Sequence, residues 1–154
     1  MSAHPVEVEA MEQALDAARI AGSAGDVPVG AVALHEGAVI AVAGNRRQAA
    51  GDPTAHAEVL VLRAAAEALG SWRLDDVTVV VTLEPCAMCA GALVNARVAR
   101  VVIGAMDDKA GAVGSRYNLL DDPRLNHTAE VVVGVRAEES ADLLRSFFSA
   151  RRTA

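Results

Sequence analysis

Between residues 6 and 20 apolar side chains recur at the spacing of one helical face, with Met11, Leu15 and Ala18 in the stripe, and Gly22 and Gly25 end it. The period then changes. Segments 27–34 and 38–43 are short and Val-rich, and His35-Glu36-Gly37 between them predicts a β-hairpin with glycine at the positive-φ position. After a polar loop over 45–53, Thr54 is placed to N-cap a helix that runs through Ala64-Ala65-Ala66 to about Leu69, with Gly70 as its stop. His56 and Glu58 fall in its first turns. Segment 76–83 is a continuous run containing Val77, Val79, Val80 and Val81, too short for a helix and suited to a central strand buried on both faces. Pro85 fits the start of a third helix, which puts Cys86 and Cys89 on one face of its opening turn. A fourth strand over 100–105, a long Gly-rich loop to about His127, a fifth strand over 130–135 and an amphipathic helix over 137–151 complete the pattern. The prediction is a three-layer α/β/α fold with a five-stranded mixed sheet flanked by helices.

A length of 154 residues with 53% hydrophobic content suits one domain, 1–154, with one core. Residues 1–7 lack the basic start and apolar run of a secretion signal, and no apolar stretch approaches the roughly 20 residues that span a bilayer. A cytoplasmic protein without a membrane partner is expected. Both cysteines lie in one C-x-x-C, so there is no disulfide framework, and a reducing compartment keeps both thiols free as ligands. The net charge of −6 argues against a non-specific nucleic-acid binder held by counterion release. It does not exclude a local basic face, because Arg97, Arg100, Lys109, Arg116, Arg124, Arg136, Arg145, Arg151 and Arg152 crowd the last third.

The chemistry is concentrated in His56-Ala57-Glu58 and Pro85-Cys86-Ala87-Met88-Cys89. An imidazole and two thiolates suit Zn²⁺, and a catalytic site with three protein ligands keeps a fourth position for water. The two thiolates cancel the formal charge of the ion. The positive ends of the helices starting near His56 and Cys86 offset part of that loss and favour the thiolate forms. Glu58 is the remaining acid, placed to move protons. Other readings stay open on the residues alone. His4, His35 or His127 could close a four-ligand structural site, although they belong to a tail, a hairpin turn and a distant loop. C-x-x-C at a strand-to-helix junction also suits a redox dithiol, for which His56-Ala57-Glu58 has no use. A non-enzymatic RNA-binding module is the third class, and 3% aromatic content is poor material for stacking. Trp72 is read as a packing residue between the second helix and the third strand.

His-x-Glu with a downstream Pro-Cys-x-x-Cys resembles the zinc-dependent cytidine-deaminase-like superfamily. Residues 52–58, 82–92 and 109–115, with Leu125-Asn126-His127 and Phe147-Phe148, are together similar to bacterial tRNA-specific adenosine deaminases over nearly the whole chain. That resemblance implies a zinc-dependent hydrolase acting on C–N bonds of cyclic amidines. It would convert adenosine to inosine at the wobble position of a tRNA anticodon loop and release ammonia. It also implies one zinc per chain on His56, Cys86 and Cys89, Glu58 as catalytic proton shuttle, and a homodimer. Asn45 matches a residue that contacts the target base, Asp107 one near the anticodon-loop backbone, and Phe148, Arg151 and Arg152 a terminal helix touching the loop. The plain alternatives are that Asn45 ends a strand, Asp107 caps a turn and the phenylalanines pack in the core. Met106 departs from the family pattern where a basic residue is familiar, as does Arg116-Tyr117, and Arg116 is expected to supply a phosphate contact in its place. A deaminase of a free base or nucleotide, of guanine or cytosine type, shares the same metal motifs and is the alternative function.

Overall fold

The computed structural model of the chain describes residues 2–153. Its centre is β3 (Val77–Leu83), whose unbroken β-branched run is buried on both faces. β1 (Gly30–His35) and β2 (Ala38–Gly44) form the hairpin, joined by Glu36 and Gly37 with φ of 52° and 77°. A two-residue loop with both φ positive matches the right-handed twist of its strands, so Glu36 as well as glycine takes the left-handed conformation. With β4 (Arg100–Ala105) and β5 (Glu130–Val132) the sheet has the order β2-β1-β3-β4-β5. β1 is antiparallel to both its neighbours, while β3, β4 and β5 run parallel, which makes the sheet mixed.

Side chains alternate across the sheet and both sets are apolar. Val32, Leu34, Val80, Val102 and Val132 pack on Ala10, Met11, Ala14 and Leu15 of α1 (Pro5–Ser23). Ala31, Ala33, Val79, Val81, Val101 and Ile103 face the other layer. That layer is Val61, Leu62 and Ala65 of α3 (Ala57–Leu69) with Ala90, Leu93 and Val94 of α4 (Ala87–Ala96). A helix of four residues, α2 (Arg47–Ala50), interrupts the polar loop, and α5 (Ala137–Thr153) packs beside α1. The Ser140 hydroxyl of α5 donates to the Thr82 carbonyl, and the Thr82 hydroxyl accepts the Gly30 N–H at 3.1 Å. Gly30 is required here because any Cβ would overlap the Ala14 carbonyl oxygen of α1.

Several sequence expectations are corrected. Thr54 does not cap α3: its N–H and hydroxyl both donate to Asp52 Oδ1 at 2.8 Å, a local turn, and His56 is the N-cap. Cys86, not Pro85, begins α4 as its N-cap. β5 stops at Val132 because Gly134 and Arg136 turn the chain with φ of 87° and 55°. Trp72 is 63% exposed instead of packed, with the Arg73 guanidinium 5.7 Å from its ring centre. His4 is the N-cap of α1, and its N–H donates to Glu7 Oε1 at 2.8 Å.

Glu7 is also one half of a buried ion pair that ties α1 to the start of β4. Arg100 Nε and Nη2 reach its two oxygens at 2.7 and 2.9 Å. Burial alone would raise the Glu7 pKa, but hydrogen bonds and charge from Arg100, with the His4 N–H, outweigh it and hold the group below its ordinary value. The pair therefore stabilises the fold above the unfolded-state pKa, and that contribution is lost as pH falls through the lower native value. Glu7→Gln is expected to destabilise the chain by about 1–3 kcal/mol near neutrality, because Arg100 loses its buried counter-charge while keeping the exposed Glu130 carboxylate at 3.1 Å. Urea unfolding at a series of pH values checks this, since the gap between variant and parent should narrow on acidification.

Candidate active site

Two helix starts meet at the sheet's centre and bring the chemically active residues together. His56 is the N-cap of α3 and Cys86 the N-cap of α4, with Glu58 and Cys89 in the first turns just inside. Helix N-termini favour anionic groups, which suits two thiols and a carboxylate. His56 Nδ1 lies 3.7 Å from Cys86 Sγ and 3.5 Å from Cys89 Sγ. Their three ligand atoms lie within 4.8 Å of one another, the one such cluster among the described residues, and could hold a metal ion. The closed four-ligand alternative fails on position: His4 caps α1, His35 ends β1, His127 Nε2 donates to the Val98 carbonyl at 2.7 Å, and none of the three joins the cluster.

The electrostatics are those of a site prepared for a cation. A hydrogen bond from the Cys89 thiol, with another from His56, outweighs burial and brings the Cys86 pKa down to about 4. The same contact with Cys86, together with burial, drives the Cys89 thiol far upward, so the two sulfurs titrate as one unit sharing a proton. His56 is raised, first by its contact with the Cys86 sulfur, against the opposing effect of burial. Glu58 is only 4% exposed, and burial pushes it up to about 7 despite a hydrogen bond from Cys89. A carboxyl poised near neutrality can both take and give a proton.

These groups open into a cavity of about 150 Å³ whose lining includes Asn45, Arg47, His56, Glu58, Cys86 and Asp107. It is smaller than the usual small-molecule pocket of about 300–1,000 Å³ and suits one flat heterocycle. A cleft of about 710 Å³ adjoins it, sharing Val27, Leu83 and Asp107 and walled by Lys109, Phe148, Arg151 and Arg152. His56, Glu58, Cys86, Asn45, Asp107, Phe148, Arg151 and Arg152 thus line two adjoining hollows, while Cys89 lies fully buried beneath them.

Their plain roles are visible beside the candidate ones. Asn45 Oδ1 accepts the Ala57 N–H at 2.7 Å, serving a free amide at the start of α3, so its NH₂ is what remains to meet a ligand. Asp107 Oδ1 accepts the N–H groups of Lys109 and Ala110 at 3.1 and 3.2 Å and shapes the turn. Phe147 is half-buried and meets Phe148 edge-on at 5.4 Å, while Phe148 is 44% exposed towards the cleft. The Arg151 guanidinium lies over the Phe147 ring at 4.3 Å. Arg116 spends its Nε on the Asp108 carbonyl at 2.8 Å.

Three contributors escape the sequence reading. Arg47 lines the small cavity from α2. Asp26, 2% exposed, accepts the N–H groups of Gln48 and Ala49 at 2.8 and 3.3 Å and so fixes α2 beside the site. Glu84 lines the cavity at the end of β3, and its signal was legible: a carboxylate at the end of an apolar run is expensive to bury without partners.

The MafB19-like deaminase family profile matches residues 7–152. The tRNA-specific adenosine deaminase of Bacillus subtilis (strain 168) is 50% identical over 138 residues, which cover 90% of this chain and 86% of that one. A solved structure from a study of A-to-I editing by tRNA:A34 deaminases at the wobble position superposes with a TM-score of 0.86 at 47% identity, covering 88% of this chain and 99% of the other. A guanine deaminase from Nitrosomonas europaea superposes with a TM-score of 0.81 at 26% identity, covering 97% and 87%. The chain belongs to the MafB19-like deaminases and, among them, to the tRNA-specific adenosine deaminase family. The mixed five-stranded sheet and its flanking helices are the fold that the family resemblance implies, and among the described residues no helix is long and apolar enough to cross a membrane.

Proposed function

We propose that this chain, as a single domain, hydrolyses adenosine to inosine at the wobble position of tRNA, with one zinc ion held by His56, Cys86 and Cys89. The observation that carries the reading is the groove: a heterocycle-sized cavity around Glu58 continuous with a basic and aromatic cleft wide enough for flanking nucleotides. The donor set fits zinc: one imidazole and two thiols converge, with N–S separations of 3.5 and 3.7 Å.

When bound, such an ion is a Lewis acid that makes water acidic enough to lose a proton near neutral pH. The rest is done by the protein. Glu58 would take one proton from the attacking water and deliver it to N1 of the adenine as the water oxygen bonds to C6. It would then take the second proton from the new C6 hydroxyl and pass it to the amino group, which leaves as ammonia when the C6–N bond breaks and the C6 carbonyl forms. The NH₂ of Asn45 orients the base, and the narrow cavity excludes bulk water. Lys109, Arg151 and Arg152 meet the phosphates, with Phe148 as an apolar wall for a neighbouring base. An unpaired anticodon loop surrenders a base to such a cavity at less cost than a duplex. Two exchangeable thiols beside a metal fit a reducing, cytoplasmic setting.

The test is inosine formation in an anticodon stem-loop compared with ammonia release from free guanine, adenine and cytosine. Turnover of the stem-loop is expected, and turnover of a free base alone would replace this reading with the guanine- or cytosine-type one. A homodimer belongs to the same proposal. Trp72, 63% exposed, lines a hollow of about 310 Å³ with Val59, Leu62, Ala66 and Ala92 of α3 and α4. Apolar surface of this kind on a soluble chain marks a contact. Trp72→Glu should shift sedimentation from dimer to monomer.

A further inference from the structure

The loop that carries Asp107 and Lys109 into the cleft is fastened to a side chain that none of the chemistry above uses. Glu84, 2% exposed, accepts the Asp107 N–H on Oε1 at 2.8 Å, and the N–H groups of Val113 and Ser115 on Oε2 at 2.9 and 3.0 Å. The Ser115 hydroxyl adds a fourth hydrogen bond to Oε1 at 2.5 Å. Gly111 lies where any Cβ would overlap this carboxylate, so the loop closes down on it without an intervening side chain. From Glu84 the order passes outward. Asp107, held by its amide, uses its own carboxylate to hold the amides of Lys109 and Ala110. Those three residues line the groove.

We propose that Glu84 is a positioning residue that sets the RNA-facing wall of the groove, acting on substrate binding and not on the chemical step. The proposal rests on the reading of the groove as an RNA site. Three backbone amides aimed at one buried carboxylate leave the loop a single low-energy arrangement, whereas an unsatisfied buried donor is costly. Without the clasp the loop samples several arrangements, and apparent affinity falls by the fraction that remains competent. The proton-carrying and metal-holding residues sit on α3 and α4, and the loop meets them at one seam, the Gly111–Cys86 bridge with the Ala112 N–H donating to the Pro85 carbonyl at 2.8 Å, which the substitutions below leave in place.

Glu84→Gln keeps the shape but turns an NH₂ group towards amide donors. It is expected to raise KM for an anticodon stem-loop, and Kd measured in a Glu58→Ala background, by about tenfold or more, with kcat within about twofold and metal content unchanged. Hydrogen exchange at the amides of Asp107, Val113 and Ser115 should accelerate while that of Ala90 in α4 does not. Ser115→Ala should move the same readouts in the same direction by less, and it carries the test alone if Glu84→Gln fails to fold. Loss of kcat at unchanged KM, loss of metal, or unaltered exchange overturns the proposal. If the parent chain leaves the stem-loop unmodified, the functional reading fails, and amide exchange still decides whether the clasp exists.

Discussion

Glu58→Ala is expected to abolish most turnover, by at least about 10²–10⁴-fold, while the purified variant keeps its full complement of metal. The two effects separate because Glu58 is not among the three residues whose ligand atoms converge. Alanine is favourable inside the first turn of α3, so the helix persists and His56 stays where it is. What disappears is a carboxyl that burial raises to about 7, on which both proton deliveries depend. Glu58→Gln should be nearly as inactive, since it preserves volume and a hydrogen bond but cannot carry a proton. Elemental analysis alongside an inosine assay checks the pair. Substantial deamination by either variant would remove Glu58 from its role.

Cys89→Ser is expected to lose metal and activity together, and to lower thermal stability as well. Cys89 is fully buried in the first turn of α4, against the imidazole. A serine hydroxyl there is a harder, shorter and normally protonated ligand, poorly matched to a site built around thiolate. Because a bound ion stabilises only the folded state, the parent chain's unfolding midpoint should fall on treatment with a strong chelator. The variant's midpoint should already be low and respond little. Metal content, inosine yield and the unfolding midpoint with and without chelator are the measurements. A serine variant that retains stoichiometric metal would show that two ligands suffice and undo the three-ligand assignment.

Much of this was legible in residue order. The run Val77–Leu83 announced a strand buried on both faces, and the alternation of its neighbours bears that out. The metal cluster was legible because ligands must be chemically special and closely spaced, so His56, Cys86 and Cys89 stood out before any geometry. Boundaries were less so. Thr54 resembles a helix cap in isolation, yet Asp52 two residues earlier captures both its donors. α2 was missed because its four residues are exposed on every side and its order comes from Asp26, 22 positions upstream of Gln48. Trp72 was misplaced because a single sequence does not say which apolar residues the fold leaves at its surface. The partners of Asp26, and all but one of those of Glu84, are backbone amides, so a carboxylate closing an apolar run marks Glu84 as needing partners while residue identity does not say which.

The sheet's outer margin has a bearing on handling. β2 reads Ala-Val-Ile-Ala-Val-Ala-Gly, without a charge or a proline, and Val39 and Val42 are 40% and 46% exposed. Such a margin invites another strand to dock along it, and charged side chains are the usual deterrent. The slipped register between Ala33 and Leu34, which kinks the ribbon, is the one visible safeguard in this hairpin. Val42→Lys is therefore expected to lower association at high concentration, which light scattering of the two chains side by side would check.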